Sequence, residues 1–552
     1  MKRWTAFWTL AAMAGVVLLT LSVARPPRPV QIADVVSHQD DVPLAVHQID
    51  AELARLWESR GLEPAEPLDD ELQLYRRLTL ALHGTIPSLE EIRRFEADVQ
   101  PNRLERWLDH MLEDRRFADY FAERLARSYV GVEGGQFLVF RRDRFKAWLS
   151  QELIDHTPYD DIVRKMIAAE GVWTGDGQVN FLTSGFADGE FDPNKLTART
   201  VRAFLGQRMD CAQCHNHPFD HWKQTEFEGL AAYYGKVGLS AAGATDLKKK
   251  EFRVGSMEGV EGRLVEPAVP FHQEWLGTGG EPRDQLASWV THPENKRFER
   301  AIANRVWGLL FGKPFQVDRP VDDLPDPEVE ADLAVLDLLG ADFRKNHCDL
   351  RHMIRVIAGT RAFRLSSVHP LTSSEDLDRL SADRRKELQE KLEELEDAWA
   401  VFPLVRLRPE QVIGSMLQAT NIHTIDQNSH LITRVLRFAR ENGFVNEFGD
   451  PGVDELQDWV GTIPQALLRM NGSLSRELSE PNGLLAPGRI VGASSNPDKA
   501  VETAYLVCLS RRPTNAEVQF FVHGFDWEKD RGAAIQDLFW DLYNSPEFNW
   551  NH

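Results

Sequence analysis

Twelve residues, Cys211-Ala212-Gln213-Cys214-His215-Asn216-His217-Pro218-Phe219-Asp220-His221-Trp222, hold two of the chain's four cysteines and three of its 17 histidines. Cys211, Cys214 and His215 have the Cys-x-x-Cys-His spacing of covalent c-type haem attachment. In that chemistry the two thiols bond to the vinyl groups of haem c and His215 is the proximal iron ligand. The same run contains a four-ligand metal set, Cys211, Cys214, His217 and His221, because thiolate and imidazole together suit Zn. A third chemistry is a local Cys211–Cys214 redox pair. Asp220 is placed to orient His217 or His221 as a carboxylate behind a ligand. Arg199, Arg202 and Arg208 precede the run and could meet haem propionates or an acidic polymer; solvated helix faces explain them equally well.

The flanking residues indicate how such a site is presented. Leu196, Val201, Phe204, Leu205 and Met209 fall at roughly helical spacing, which predicts a helix running into the cysteines. His217-Pro218 should stop it, because the residue before proline avoids the helical region. Downstream, Thr225 to Glu228 reads as a capping box. Phe227, Leu230, Ala231 and Tyr234 then form one apolar face. The site is expected at a knee between two helices.

The formal charge is -21, from 64 basic and 85 acidic residues among 552. That excludes a general nucleic-acid binder, which needs a basic face to meet phosphates. Lys2 and Arg3 precede an apolar run from Trp4 to Val23, and Ser22-Val23-Ala24 is a small-x-small cleavage pattern. Residues 1–24 therefore read as an export segment, either a cleaved signal peptide or an uncleaved membrane anchor. The remainder is expected outside the cytoplasm, in the periplasm or cell envelope. There, thiols tend to pair or to bind something. Cys508 lies in the apolar run Ala504–Leu509 and reads as a buried core thiol. A Cys348–Cys508 disulfide would need a proximity that sequence does not supply.

Residues 25–47 are proline-rich and then polar, and read as a linker. Residues 48–240 are helical in pattern. Residues 241–281 form a β/loop-rich connector, with a short β pair expected from Phe252-Arg253-Val254 and Arg263-Leu264-Val265. Helical pattern resumes over 282–548. Within it, Asp322 to Pro327 is an acidic turn, read as a solvated loop or a partial calcium site. Residues 374–399 are densely charged, with Leu388, Leu392, Leu395 and Trp399 on one stripe. The expected fold class is mainly α: two helical domains joined by a short β/loop-rich segment, with an N-terminal export helix.

The chain resembles secreted proteins, abundant in planctomycetes, that pair two domains of unknown function, 1549 and 1553. The first is also called a planctomycete cytochrome-type domain. Its signature is similar to Phe204-Leu205-Gly206, four residues, then Cys211 to Phe219. Its opening is similar to Arg76-Arg77-Leu78-Thr79-Leu80 with Gly84 and Pro87 following. Ala81 stands where the family usually has aspartate, so that carboxylate is missing here. The second domain resembles Leu286-Ala287-Ser288-Trp289, Asn304-Arg305-Val306-Trp307, Pro320-Val321-Asp322-Asp323, Pro464-Gln465-Ala466-Leu467 and Leu509 to Thr514 with Glu517. The resemblance implies domain order and export, and supplies no reaction. No Gly-x-Ser-x-Gly elbow, His-Glu-x-x-His or phosphate loop occurs, so no enzyme class is assigned. The leading expectation is an exported c-type cytochrome-like redox protein with a redox partner. The alternatives are a zinc-like metal protein that binds or hydrolyses extracellular polymer, and an interaction scaffold. An uncleaved anchor would add membrane contact.

Overall fold

The computed structural model describes residues 42–134, 139–187, 190–240, 242–255, 261–328, 333–373 and 380–552, apart from 451, 453–455 and 457–460. The export segment 1–24 and linker residues 25–41 lie outside the described residues. The described chain is mainly α-helical; its strands are four two-stranded antiparallel pairs. Arg253–Val254 pairs with Arg263–Leu264, where the connector was expected to carry a β pair. No helix of the described residues is long and apolar enough to cross a membrane.

The helices form where spacing and caps agree. Val42–Arg60 buries Ala45, Ile49, Leu53 and Trp57, each four residues after the last, so one stripe faces inward. Burying each larger apolar side chain is worth roughly 1.5–3 kcal/mol, which draws residues 42–47 into helix. The expected linker therefore stops short of them. Glu71–His83 starts at Asp70, whose carboxylate accepts the Leu72 N–H, and ends at Gly84 with φ +67°. A β-carbon at Gly84 would also stand 2.3 Å from the Tyr120 ring, so glycine is required there twice over. Leu89–Ala97 opens with a Ser88–Glu91 capping box.

The apolar interior forms two clusters. The larger is built mainly from Ala45 to Phe402, with Leu456 and Leu506 added, and includes Ala244, Val269 and Trp275 of the connector. Its distal end is aromatic: Trp399 meets Trp307, Phe311 and Phe315, with Trp399 and Leu395 supplied by the charged segment after helix Ala382–Asp397 begins. Residues 374–379 of that expected helix lie outside the described residues. The smaller cluster is built mainly from Leu407 to Phe548, with Leu80 and Ile86 entering from the N-terminal part.

Helix Glu71–His83 joins the two. Arg76 Nη1 donates to Cys508 O at 3.0 Å and Nη2 to Phe548 O at 3.4 Å. Arg77 Nη1 donates to Phe363 O and to Leu365 O, the latter at 3.1 Å, and its Nε to His552 O at 3.2 Å. The Arg77 guanidinium also lies 3.4 Å from the Phe402 ring centroid. Burial pushes both guanidiniums below their ordinary range. Cys348 and Cys508 do not pair: both are free and buried, one in each cluster. Loss of hydration pushes the Cys348 thiol up to about 12, and the Cys508 thiol up as well.

A candidate cofactor loop at a helical knee

Helix Pro193–Leu205 is capped by Asp192, whose carboxylate accepts the Asn194 N–H. It stops at Gly206, φ +61°, and does not run into the cysteines as the spacing predicted. The left-handed residue ends it first, eleven residues before His217, where the proline-based stop would act. Gly206 O accepts the Leu324 N–H at 2.7 Å, and Gln207 Nε2 donates to Leu324 O at 2.9 Å. Arg208 then pairs with Asp322 at 2.7 Å. The acidic turn is thus clamped onto the chain just before the cysteines. Asp326 is buried as well, against Arg297. A solvated loop was the expectation; these arginine partners are remote in sequence and gave no local signal.

Met209 and Ala212 are 2% and 0% exposed, and they anchor a short 3₁₀ turn at Asp210–Gln213. With those two side chains inward, Cys211, Cys214 and His215 face solvent. The loop closes through His217 N–H to Trp222 O at 2.8 Å and Gln224 N–H to Asn216 Oδ1 at 3.0 Å. Trp222 is buried beneath it, while Phe219 is 93% exposed. Helix Gln224–Tyr234 follows, so the knee is present. Its cap differs from the expected one: Glu226, not Glu228, reaches back, to the Lys223 N–H at 2.8 Å. Glu228 is instead paired with Arg263.

The three histidines differ in what their rings do. His215 Nδ1 lies 2.7 Å from Asn216 O, so Nδ1–H donates and Nε2 is left with its lone pair. His217 Nδ1 accepts the Phe219 N–H at 3.3 Å, which leaves the proton of a neutral ring on Nε2. His221 Nδ1–H donates to Asp220 Oδ1 at 2.7 Å, and its Nε2 lies 3.4 Å from Asp326 Oδ2. Asp220 therefore orients His221, one of the two partners expected for it.

The donor set fits haem c in kind: two exposed free thiols and one imidazole whose iron-binding nitrogen is unengaged. The four-ligand set fits less well as it stands. His217 would have to give up its turn-capping bond, and His221 Nε2 is directed at Asp326. Among the described residues, no three His, Cys, Asp or Glu side chains already surround one point. The three upstream arginines have protein partners: Arg199 bonds Ser184, Arg202 bonds Asp210, and Arg208 bonds Asp322.

Sequence reasoning missed the second half of the site. His272, Glu274, Arg297 and Glu328 gather behind His221 through Asp326. His272 sits in the stretch read as connector, with a left-handed backbone at φ +46°. Only the acidic turn was a sequence signal for any part of this group.

A family model described as PSCyt2, a protein of unknown function (DUF1549), matches residues 48–238. A second, described as PSD1, a protein of unknown function (DUF1553), matches residues 282–524. No curated protein and no solved structure matches the chain. The loop and the acidic turn that closes over it therefore come from different matched segments, and the chain belongs to the family of proteins in which these two domains stand in tandem.

Proposed function

We propose that the chain is an exported c-type cytochrome-like redox protein of the cell envelope. Haem c would be held covalently by Cys211 and Cys214 and ligated by His215. The observation that carries this reading is the free Nε2 of His215, with Nδ1–H fixed by Asn216 O, beside two exposed thiols on the same turn. A bound haem would supply one-electron transfer; the protein supplies the thiols, the axial imidazole and its orientation. Lys2, Arg3 and the apolar run after them support export, which haem attachment requires here.

The test is haem absorbance of the full chain purified from a host with haem-attachment machinery. Cys211→Ser, Cys214→Ser or His215→Ala should each abolish the spectrum of covalently attached haem, while His221→Gln should keep it. Haem-free wild-type protein from that host would sink the reading.

A further inference from the structure

We propose a second site next to the cysteine turn: a zinc-class divalent cation held by His221, Asp326, His272 and Glu328. It uses none of the groups assigned to haem, so the two readings stand or fall separately.

The two imidazoles are prepared in the same way. His221 Nδ1–H donates to Asp220 at 2.7 Å, and His272 Nδ1 lies 2.6 Å from Glu274 Oε1. Carboxylates placed so fix the tautomer and present Nε2 as a ligand. Each ring is also backed by a tryptophan. His221 lies on Trp222 with centroids 4.0 Å apart, and His272 stacks on Trp275 at 4.0 Å and 12°. Trp275 is itself stacked on its other face by His292 at 4.9 Å and 7°, so the His272 plane is held from behind.

Each prepared Nε2 faces a carboxylate oxygen. His221 Nε2 to Asp326 Oδ2 is 3.4 Å, and His272 Nε2 to Glu328 Oε1 is 3.3 Å. With Nδ1 carrying the proton, each contact sets one lone pair against another, and something positive belongs between them. A proton would draw such a pair to about 2.7–2.9 Å. Two ligands each about 2.0–2.1 Å from a tetrahedral zinc lie about 3.3–3.4 Å apart. Both pairs have the second spacing. Asp326 is 6% exposed, and its Oδ2 is buried without a hydrogen-bond partner. An orphaned buried carboxylate oxygen is costly unless a cation meets it.

Arg297 links the pairs: its Nη2 bonds Asp326 Oδ1 and lies 3.0 Å from Glu328 Oε1. The four donors are therefore two half-sites that do not yet surround one point. Glu328 and His272 have side chains 52% and 39% exposed, free enough to swing toward the fixed His221–Asp326 edge. Arg297, 3% exposed, would stay on Asp326 Oδ1 and hold that ligand from behind. Charge favours the step. Asp220, Glu274, Asp326 and Glu328 face one guanidinium, a formal excess of three negative charges with neutral imidazoles, and a divalent cation reduces it to one.

The experiment strips the full chain with chelator, then titrates it with zinc and, separately, with cobalt(II). The Cys211→Ser, Cys214→Ser double variant should bind one zinc per chain as wild type does. His272→Gln and Asp326→Asn should each weaken binding at least tenfold. The cobalt form of the double variant should show the ligand-field bands of a four-coordinate nitrogen and oxygen site, and thiolate charge-transfer should be absent. If Asp326→Asn fails to fold, the half-exposed His272→Gln decides alone. No zinc uptake by the double variant, or uptake undiminished by His272→Gln, would overturn the proposal.

Discussion

Arg76-Arg77 and Cys211-Ala212-Gln213-Cys214-His215 both stand out in the sequence, and the fold treats them oppositely. The arginines are 2% and 0% exposed, and their bonds go to main-chain carbonyls of both apolar clusters. The cysteines and His215 face solvent on a turn anchored by buried Met209 and Ala212. The first motif is architecture: most of its N–H groups are matched inside the protein, with Arg76 Nε and Arg77 Nη2 buried unpartnered beside them. The second leaves reactive groups unmatched at the surface, which the fold alone does not require. A recurring motif is thus evidence of chemistry only once its donors are traced to their partners.

Four measurements would break or sharpen this contrast. The largest effect is expected from Arg77→Ala. It leaves the carbonyls of Phe363, Leu365 and His552 short of a donor in a buried place. At about 1–3 kcal/mol for each unmatched group, denaturant unfolding should show a loss of about 3–5 kcal/mol. A loss below about 1 kcal/mol would mean the staple is dispensable.

Acid should act next, through His83. It is buried, and desolvation first, then Arg116, lowers its pKa from 6.5 to about 4. Unfolded chains therefore take up a proton that the folded one refuses. Stability from the neutral ring is complete above pH 6.5, falls as pH drops from 6.5 to 4, and levels off below that. The drop should be about 3 kcal/mol over that window. Melting curves of wild type and His83→Gln at several pH values would show it, with the variant flatter across pH 4–6.5. Asp114 and Glu123, held below the carboxylate range by arginine and lysine neighbours once burial is outweighed, add their own loss as pH falls further.

Gly206→Ala should cost less, about 1–2 kcal/mol, because alanine resists the left-handed conformation. Its β-carbon would also press on Leu324 of the acidic turn at 3.2 Å and on Ala301 of helix Lys296–Phe311 at 3.3 Å. Smallest of all should be Cys211→Ser with Cys214→Ser. Thermal unfolding of the unloaded double variant should stay within about 0.5 kcal/mol of wild type, since both side chains are exposed. A marked loss there would make the turn a structural element and erase the contrast with the arginines.

Much of the helical fold was legible because spacing and caps reinforce each other. The four-residue spacing of Ile49, Leu53 and Trp57, the Gly84 stop and the Ser88 box are local signals, and they underlie the helical pattern expected over 48–240. Helix ends near the site were read less well, since Gly206 had been passed over in favour of Pro218. Long-range partners were not legible at all. Nothing within ten residues of Asp326 says that His221 and Arg297 will meet it. The cysteine turn could be found from spacing; its backing could not, because three of its parts come from segments with no shared pattern.

The arginine staple also fixes an order of events. Arg76 and Cys508 are 432 residues apart, and Arg77 and His552 are 475 apart. Helix Glu71–His83 is made early, yet Arg76 and the Nε of Arg77 find their carbonyls only when the final segment of this sequence arrives. Closure over such separations is slow. Until then, the larger cluster must carry an open seam with two charges in it, a substrate for proteases and for aggregation. Quality control could therefore read a stalled or shortened chain at its beginning, through the residues its missing end should have covered.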